Sequence, residues 1–228
     1  IAHLTPHPTT AITDVELRTP AIDFADVRGQ ETAKRGLEIA AAGGHNIAMF
    51  GPPGTGKTML AKAFAHILPP LDLDDALEVT GIHSIAGILD ETIITTPPFR
   101  SPHHTASYVS VIGGGSHPKP GEVTLAHRGV LFMDEFPEFE KKVIESLRQP
   151  LEDRVVNIAR AKGTATFPTQ FILVAALNPP PDDATAREIA RHKKKISGPI
   201  VDRIDMWFPV EHIDYDKLSD DDYQRGDS

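Results

Sequence analysis

Eight consecutive residues carry the strongest chemical signal in this chain: Gly51-Pro52-Pro53-Gly54-Thr55-Gly56-Lys57-Thr58. They fit G-x-x-x-x-G-K-[ST] at every fixed position. Phosphates carry dense negative charge. A loop of this composition meets that charge with backbone N–H groups, which converge only where glycine permits the tight turn. A helix starting at the end of the loop adds the favourable end of its dipole. On this reading Lys57 contacts the β- and γ-phosphates of a nucleotide and Thr58 ligates Mg²⁺. The candidate nucleotide contacts are Pro52, Pro53, Gly54, Thr55, Gly56, Lys57, Thr58 and Met59. The competing reading is a coincidental Gly-rich turn.

Three further groups gain meaning downstream of such a loop. Val130-Leu131-Phe132-Met133-Asp134-Glu135 is an apolar run that ends in two carboxylates. Ligands of open α/β sheets bind at the C-terminal ends of strands. Asp134 would hold the Mg²⁺ shell there, and Glu135 would polarise the attacking water. The bland alternative is a solvated strand end. Val174-Ala175-Ala176-Leu177-Asn178 closes another apolar run with an amide. In a parallel sheet that amide would lie between the first two motifs, where it can bond a γ-phosphate or water without adding charge. Otherwise Asn178 caps the turn before Pro179. Last, Arg203 sits between Asp202 and Asp205, which by itself reads as a surface ion pair.

The elements around these groups have the right order. Residues 31–42 place Ala33, Leu37, Ala40 and Ala41 at helical spacing, and Gly43-Gly44 stops them. Residues 46–50 read as a buried strand. After the glycine loop, 58–68 read as a helix ended by Pro69-Pro70. Strand, glycine loop and helix open a parallel α/β unit. Residues 129–133 and 171–177 read as further buried strands, 138–147 as a helix, and 184–195 as a basic helix. Residues 80–128, with Gly113-Gly114-Gly115, are too long for a plain connection. They read as an insertion with a small hairpin of its own. Residues 154–160 and 164–167 would pair across Ala161-Lys162-Gly163 as a second hairpin. Residues 1–22 read as a linker or arm.

Composition narrows the class. The chain has 228 residues and a formal net charge of -9, from 23 Lys+Arg against 32 Asp+Glu. A uniformly basic nucleic-acid binder is excluded, but a local basic groove is not. With no cysteine, disulfides, thiol catalysis and thiolate metal sites are excluded. No apolar run approaches the ~18 residues of a membrane span, and no signal peptide is visible at the first residues. The cytoplasm is the expected compartment, and the chain reads as a piece of a longer protein.

Phosphate loop, Asp-Glu strand, Asn strand end and late Arg, in that order, resemble AAA+ ATPases. Within these the chain is similar to the magnesium-chelatase-like branch, closest to the ComM (YifB) competence-protein group. The stretches that carry the resemblance are Asp26-Val27-Arg28-Gly29-Gln30, Phe99-Arg100-Ser101-Pro102-His103-His104-Thr105-Ala106-Ser107, Pro120 onward to Glu135, Leu147-Arg148-Gln149-Pro150-Leu151-Glu152-Asp153, and 196–205. The resemblance implies a three-layer α/β/α P-loop domain with a mostly parallel sheet and two β-hairpin insertions. It implies a core over 23–213, a helix-2 insertion over 80–128 and a pre-sensor-1 hairpin over 154–167. Residues 214–228 would begin the linker to a missing helical lid, which removes the sensor 2 residue. It also implies ATP and Mg²⁺ as cofactors, a homo-oligomeric, hexameric ring, and hydrolysis in which Glu135, Lys57, Asn178 and Arg203 act. Gly29 and Gln30 match the segment that wraps the adenine. Asn178 matches sensor 1, and Arg203 matches the arginine finger that reaches into the next subunit.

In related motors both hairpins face the central pore. Lys119 lies near the tip of the first, Arg160 and Lys162 near the tip of the second. A ring repeats such charges, so an acidic protein can still offer a positive pore to single-stranded or branched DNA. The alternative is solvated hairpin tips. The use expected of ATP is movement on DNA. Two alternatives stand beside it: a magnesium-chelatase-type motor subunit, and an ATP-gated scaffold with little turnover. His103-His104 is a family hallmark without an assigned role. Adjacent imidazoles rarely reach one ion, and no third ligand is suitably spaced. Lys193-Lys194-Lys195 reads as a solvated helix end. The ComM group usually follows sensor 1 with a cysteine-rich stretch. Here Pro179-Pro180-Pro181-Asp182-Asp183 stands in its place.

Overall fold

The computed structural model describes residues 22–115, 118–160, 163–180, 184–185 and 195–212. The regions 1–21, 213–228 and most of the basic helix expected over 184–195 lie outside the described residues.

Helix α1 (Glu31–Gly43) buries Ala33, Gly36, Leu37 and Ala40 and ends where Gly44 turns left-handed. Strand β1 (Ile47–Phe50) leads through the glycine loop into α2 (Lys57–Ile67). The extended Leu68 ends α2, as the prolines after it require. Helix α3 (Leu73–Ala86) is capped by the Asp72 side chain on the Asp75 N–H. Then follow β2 (Phe99–Arg100), α4 (Tyr108–Ile112), β3 (Gly113–Gly114), β4 (Lys119–Pro120), α5 (Glu122–Leu125) and β5 (Val130–Met133). After a 3₁₀ turn come α6 (Lys141–Ser146), α7 (Arg148–Asp153), β6 (Val155–Arg160), β7 (Gly163–Pro168), β8 (Ile172–Leu177), α8 (Gly198–Val201) and β9 (Met206–Pro209).

The central sheet has five strands in the order β2-β5-β8-β1-β9. Every pairing in it is parallel. Alternate residues of each strand feed opposite faces. Ile47, Met49, Val130, Phe132, Val174 and Ala176 pack with Leu37, Leu60 and Phe64 of α1 and α2. Ala48, Leu131, Met133, Leu173 and Ala175 pack on the other side with Val143, Ile144 and Leu147. Helices on both faces of a parallel sheet make the three-layer α/β/α fold. The two hairpins are separate two-stranded antiparallel sheets, β3–β4 and β6–β7. The second runs in register from Val155 opposite Pro168 to Arg160 opposite Gly163.

Two strands of the sheet had no counterpart in the sequence reading. β2 pairs only Phe99 and Arg100 with Val130 and Leu131, too short to show a period. It lies inside 80–128, so that segment contributes an edge of the central sheet as well as a hairpin. β9 pairs with β1 on the other side. The helix expected over 138–147 is shorter, and α7 follows it directly. Among the described residues no helix is long and apolar enough to cross a membrane.

Candidate phosphate and nucleotide site

Parallel strands deliver their C-terminal ends to one rim. There β1 hands over to the glycine loop, β8 to Asn178, β5 to Asp134 and Glu135, and β2 to residues 101–107. β8 lies between β1 and β5, so Asn178 stands between the loop and the carboxylates. A cavity of ≈ 360 Å³ is lined by Pro53, Gly54, Gly56, Lys57, Thr58, Met59, Asp134, Glu135 and Asn178. A cavity of similar size, ≈ 370 Å³, lies at the other end of the strands around Gly129, Phe171 and Ile172. Chemistry, not size, separates the two.

The loop owes its shape to two left-handed glycines, Gly54 (φ 80°) and Gly56 (φ 92°). No atom lies within 4 Å of a Cβ built on either. Glycine is therefore required by the backbone angle rather than by crowding. Thr55 Oγ1 donates to the Pro52 carbonyl at 3.0 Å. Lys57 is buried at the start of α2, and its ammonium donates to the carbonyls of Gly51 (2.7 Å) and Pro52 (2.8 Å). Burial pulls its pKa below the ordinary lysine value, and the charge of Asp134 opposes that pull in part.

Thr58 Oγ1 donates to Asp134 Oδ2 at 3.0 Å. The other oxygen of Asp134 accepts the Glu135 N–H at 2.9 Å. Glu135 takes a left-handed conformation, φ 51° and ψ 44°, which is uncommon for a residue with a side chain. A hydroxyl and a carboxylate at this spacing are hard oxygen donors. They suit Mg²⁺, which binds through one or two protein oxygens and completes its shell with phosphates and water. No group of three or more His, Cys, Asp or Glu able to hold a metal occurs among the described residues. The donor set therefore fits a metal shared with a substrate, not an all-protein cage.

The other anticipated residues lie elsewhere. Gly29 and Gln30 are both left-handed, at φ 61° and 62°. Gln30 Nε2 donates to the Glu211 carbonyl at 2.6 Å, joining the start of the core to its end. Arg203 does not line the cavity. Its guanidinium pairs with Glu152, which Arg148 also reaches at 3.2 Å. Lys119 is exposed on β4. Arg160 ends β6, with its side chain outside the description, and Lys162 lies outside the described residues.

Two residues that position the site had no role in the sequence reading. Buried Asn46 precedes β1. Its amide donates to the Arg203 carbonyl and accepts the Leu173 N–H, each at 2.9 Å. One side chain thus ties together the start of the loop strand, β8 and the segment bearing Arg203. The second is His104, whose Nδ1 lies 2.8 Å from Glu135 Oε2. The sequence signal for it was the His103-His104 pair, whose partner lies on another strand.

Comparison with known proteins agrees with this geometry. The family model described as "Magnesium chelatase, subunit ChlI" matches residues 23–218. The Salmonella typhimurium protein YifB is 45% identical over 204 residues, covering 85% of this chain and 40% of YifB. Competence protein ComM of Haemophilus influenzae is 46% identical over 198 residues, covering 83% of this chain and 39% of ComM. The chain therefore spans about 40% of the length of these relatives. Among solved structures, a complex of the BchI and BchD subunits of magnesium chelatase superposes with a TM-score of 0.63 at 22% identity. That match covers 86% of this chain and 63% of the other.

Proposed function

This chain belongs to the magnesium chelatase, subunit ChlI, family, and from that premise we propose that it is the Mg²⁺-dependent ATP-hydrolysing core of a ring-forming cytoplasmic motor acting on single-stranded or branched DNA. The observation that carries the ATPase reading is the single cavity in which Lys57, Thr58, Asp134, Glu135 and Asn178 meet. The loop N–H groups and Lys57 bind the β- and γ-phosphates, with the ammonium moving from loop carbonyls to phosphate oxygens. Gly29 and Gln30 border the adenine. Thr58 and Asp134 hold Mg²⁺, which would neutralise charge on the phosphate oxygens. Glu135 accepts a proton from the attacking water, and Asn178 orients that water or the γ-phosphate. Arg203, outside this cavity in its own chain, serves the neighbouring subunit, so turnover depends on assembly.

The DNA client is supported by the relation to ComM and by the basic residues Lys119 and Arg160 on the two hairpins, with Lys162 two positions after Arg160 in the sequence. A chelatase-type motor subunit is the second reading, favoured by the likeness to the BchI–BchD complex. Steady-state ATP hydrolysis with and without single-stranded and forked DNA separates them. The expected result is stimulation by DNA that Lys119→Glu weakens. Hydrolysis indifferent to DNA would sink the DNA reading and favour the chelatase-type motor. Nucleotide-dependent assembly without turnover would favour a scaffold.

A further inference from the structure

We propose that Glu152 is a positioning residue for Arg203: it aims the guanidinium outward at the nucleotide of the next subunit, and so sets that neighbour's turnover rate without contributing to nucleotide binding. This rests on the reading of Arg203 given above. The Arg203 guanidinium pairs with the Glu152 carboxylate, 51 positions away in the chain. Both residues leave elements anchored in one hydrophobic cluster. Leu147 and Leu151 on the side of α7, and Ile200 and Ile204 on either side of Arg203, are buried in it. Glu152 therefore stands on a base that is fixed relative to the Arg203 backbone.

The Arg203 backbone is already pinned. Its N–H donates to the Ile200 carbonyl at 3.1 Å, and its carbonyl accepts the Asn46 amide at 2.9 Å. What the backbone leaves undetermined is the long side chain, among the costliest of all to immobilise. Two acceptors restrain it. Nη1 donates to the Pro199 carbonyl at 3.2 Å, and Nη2 donates to Glu152. Each η nitrogen keeps a further N–H, and 31% of the side-chain surface stays exposed. The guanidinium can thus be held in its own chain and still meet a neighbour's phosphate. Glu152 is itself held. Arg148, one helical turn earlier on α7, donates from Nε to the same oxygen, Oε1, at 3.2 Å. The carboxylate divides its charge between two guanidiniums, so Arg203 is fixed without being fully neutralised. One arginine braces the carboxylate, and the carboxylate aims the other.

The test is steady-state hydrolysis by the 228-residue chain across a protein concentration series, with binding of a fluorescent ATP analogue and melting temperature measured alongside. Wild type, Glu152→Ala, Glu152→Gln and Arg203→Ala are compared, and Glu152→Ala is also mixed with Glu135→Gln. The expected result is a kcat roughly 10- to 100-fold lower in Glu152→Ala, the range an ångström of misplacement costs. Analogue affinity and melting temperature stay within about 2-fold or a few degrees of wild type. Glu152→Gln, whose amide oxygen still accepts from Arg203, recovers part of the rate. The mixture recovers rate as well, because Glu152→Ala chains keep Glu135 and Glu135→Gln chains keep a well-aimed arginine. An equal or higher kcat in Glu152→Ala, with Arg203→Ala slow, overturns the inference and leaves the arginine reading standing. So does a loss of rate that the mixture fails to restore, or one matched by a loss of analogue binding. Wild-type kcat in Arg203→Ala overturns the arginine reading, and the inference with it. A wild type that binds nucleotide at every concentration without turning it over overturns the ATPase reading, and both fall.

Discussion

Thr58 Oγ1 donates to Asp134 Oδ2 at 3.0 Å, although 76 positions separate the two residues. The bond joins the first turn of α2 to the residue that follows β5. It crosses the rim beside β8, the strand that lies between β1 and β5. The loop proposed to bind phosphate and the carboxylate proposed to hold the metal therefore share one edge of the sheet.

Lys57 is the buried ammonium on the loop side of that edge. Replacing it by Ala removes a charged donor worth about 1.5–3 kcal/mol. ATP affinity is expected to fall about 10- to 100-fold while the fold survives. Titration with a fluorescent ATP analogue measures the first, and thermal melting the second. Unchanged affinity would place the nucleotide elsewhere.

Arg203 separates action within a chain from action between chains. Arg203→Ala is expected to lose about 10³-fold or more in turnover, as loss of a trans-acting arginine does. A mixture of Arg203→Ala and Glu135→Gln chains is then expected to regain part of the rate. In the rings proposed above, a mixture would place an intact arginine opposite an intact glutamate at some interfaces. A mixture no more active than its components would remove Arg203 from the site.

Asn46→Ala probes the frame. It leaves the buried Leu173 N–H without its acceptor and frees the Arg203 carbonyl. A loss of about 2–3 kcal/mol is expected, read as a lower midpoint in urea. A midpoint equal to wild type would show that backbone pairing alone holds β1, β8 and the Arg203 segment together.

His127 gives the stability a pH dependence. Burial first, and the neighbouring charge of Arg128 as well, lower its pKa below the ordinary value near 6.5, against the raising effect of Glu78. Its Nδ1 accepts the Gln170 N–H at 3.0 Å, so the neutral ring donates from Nε2 to Glu78. In acid the unfolded chain binds this proton before the folded one does. The contribution is full above about pH 6.5 and is lost as pH falls through the lower folded value. Urea midpoints at pH 7.5 and pH 5 are expected to converge more in His127→Gln than in wild type. An equal acid slope in both would refute the assignment.

The candidate residues that stand in local patterns, and that line one cavity, were legible in the sequence. The glycine loop needs only its own eight residues, and the Asp134-Glu135 pair follows an apolar run long enough to mark a buried strand. Asn178 was placed between them because a parallel sheet allows little else. α3 was not legible, since its apolar residues lie on both faces: Val79 and Ile82 are buried, while Leu73, Leu77 and Ile85 are exposed. β2 was hidden by its length of two residues. Asn46 and His104 were missed for a different reason. Each acts on residues far along the chain, Leu173 and Arg203 for one and Glu135 for the other. Neither type nor spacing in one strand reveals a partner delivered by another.

The most direct test of the account is a comparison of wild type and Glu135→Gln in Mg²⁺-dependent ATP binding and hydrolysis. The account predicts that the variant binds ATP as tightly as wild type, within about 3-fold, and loses at least about 100-fold in turnover, the lower range for removing a general base. Hydrolysis by Glu135→Gln at the wild-type rate would contradict it, because the proton of the attacking water would then go to another group.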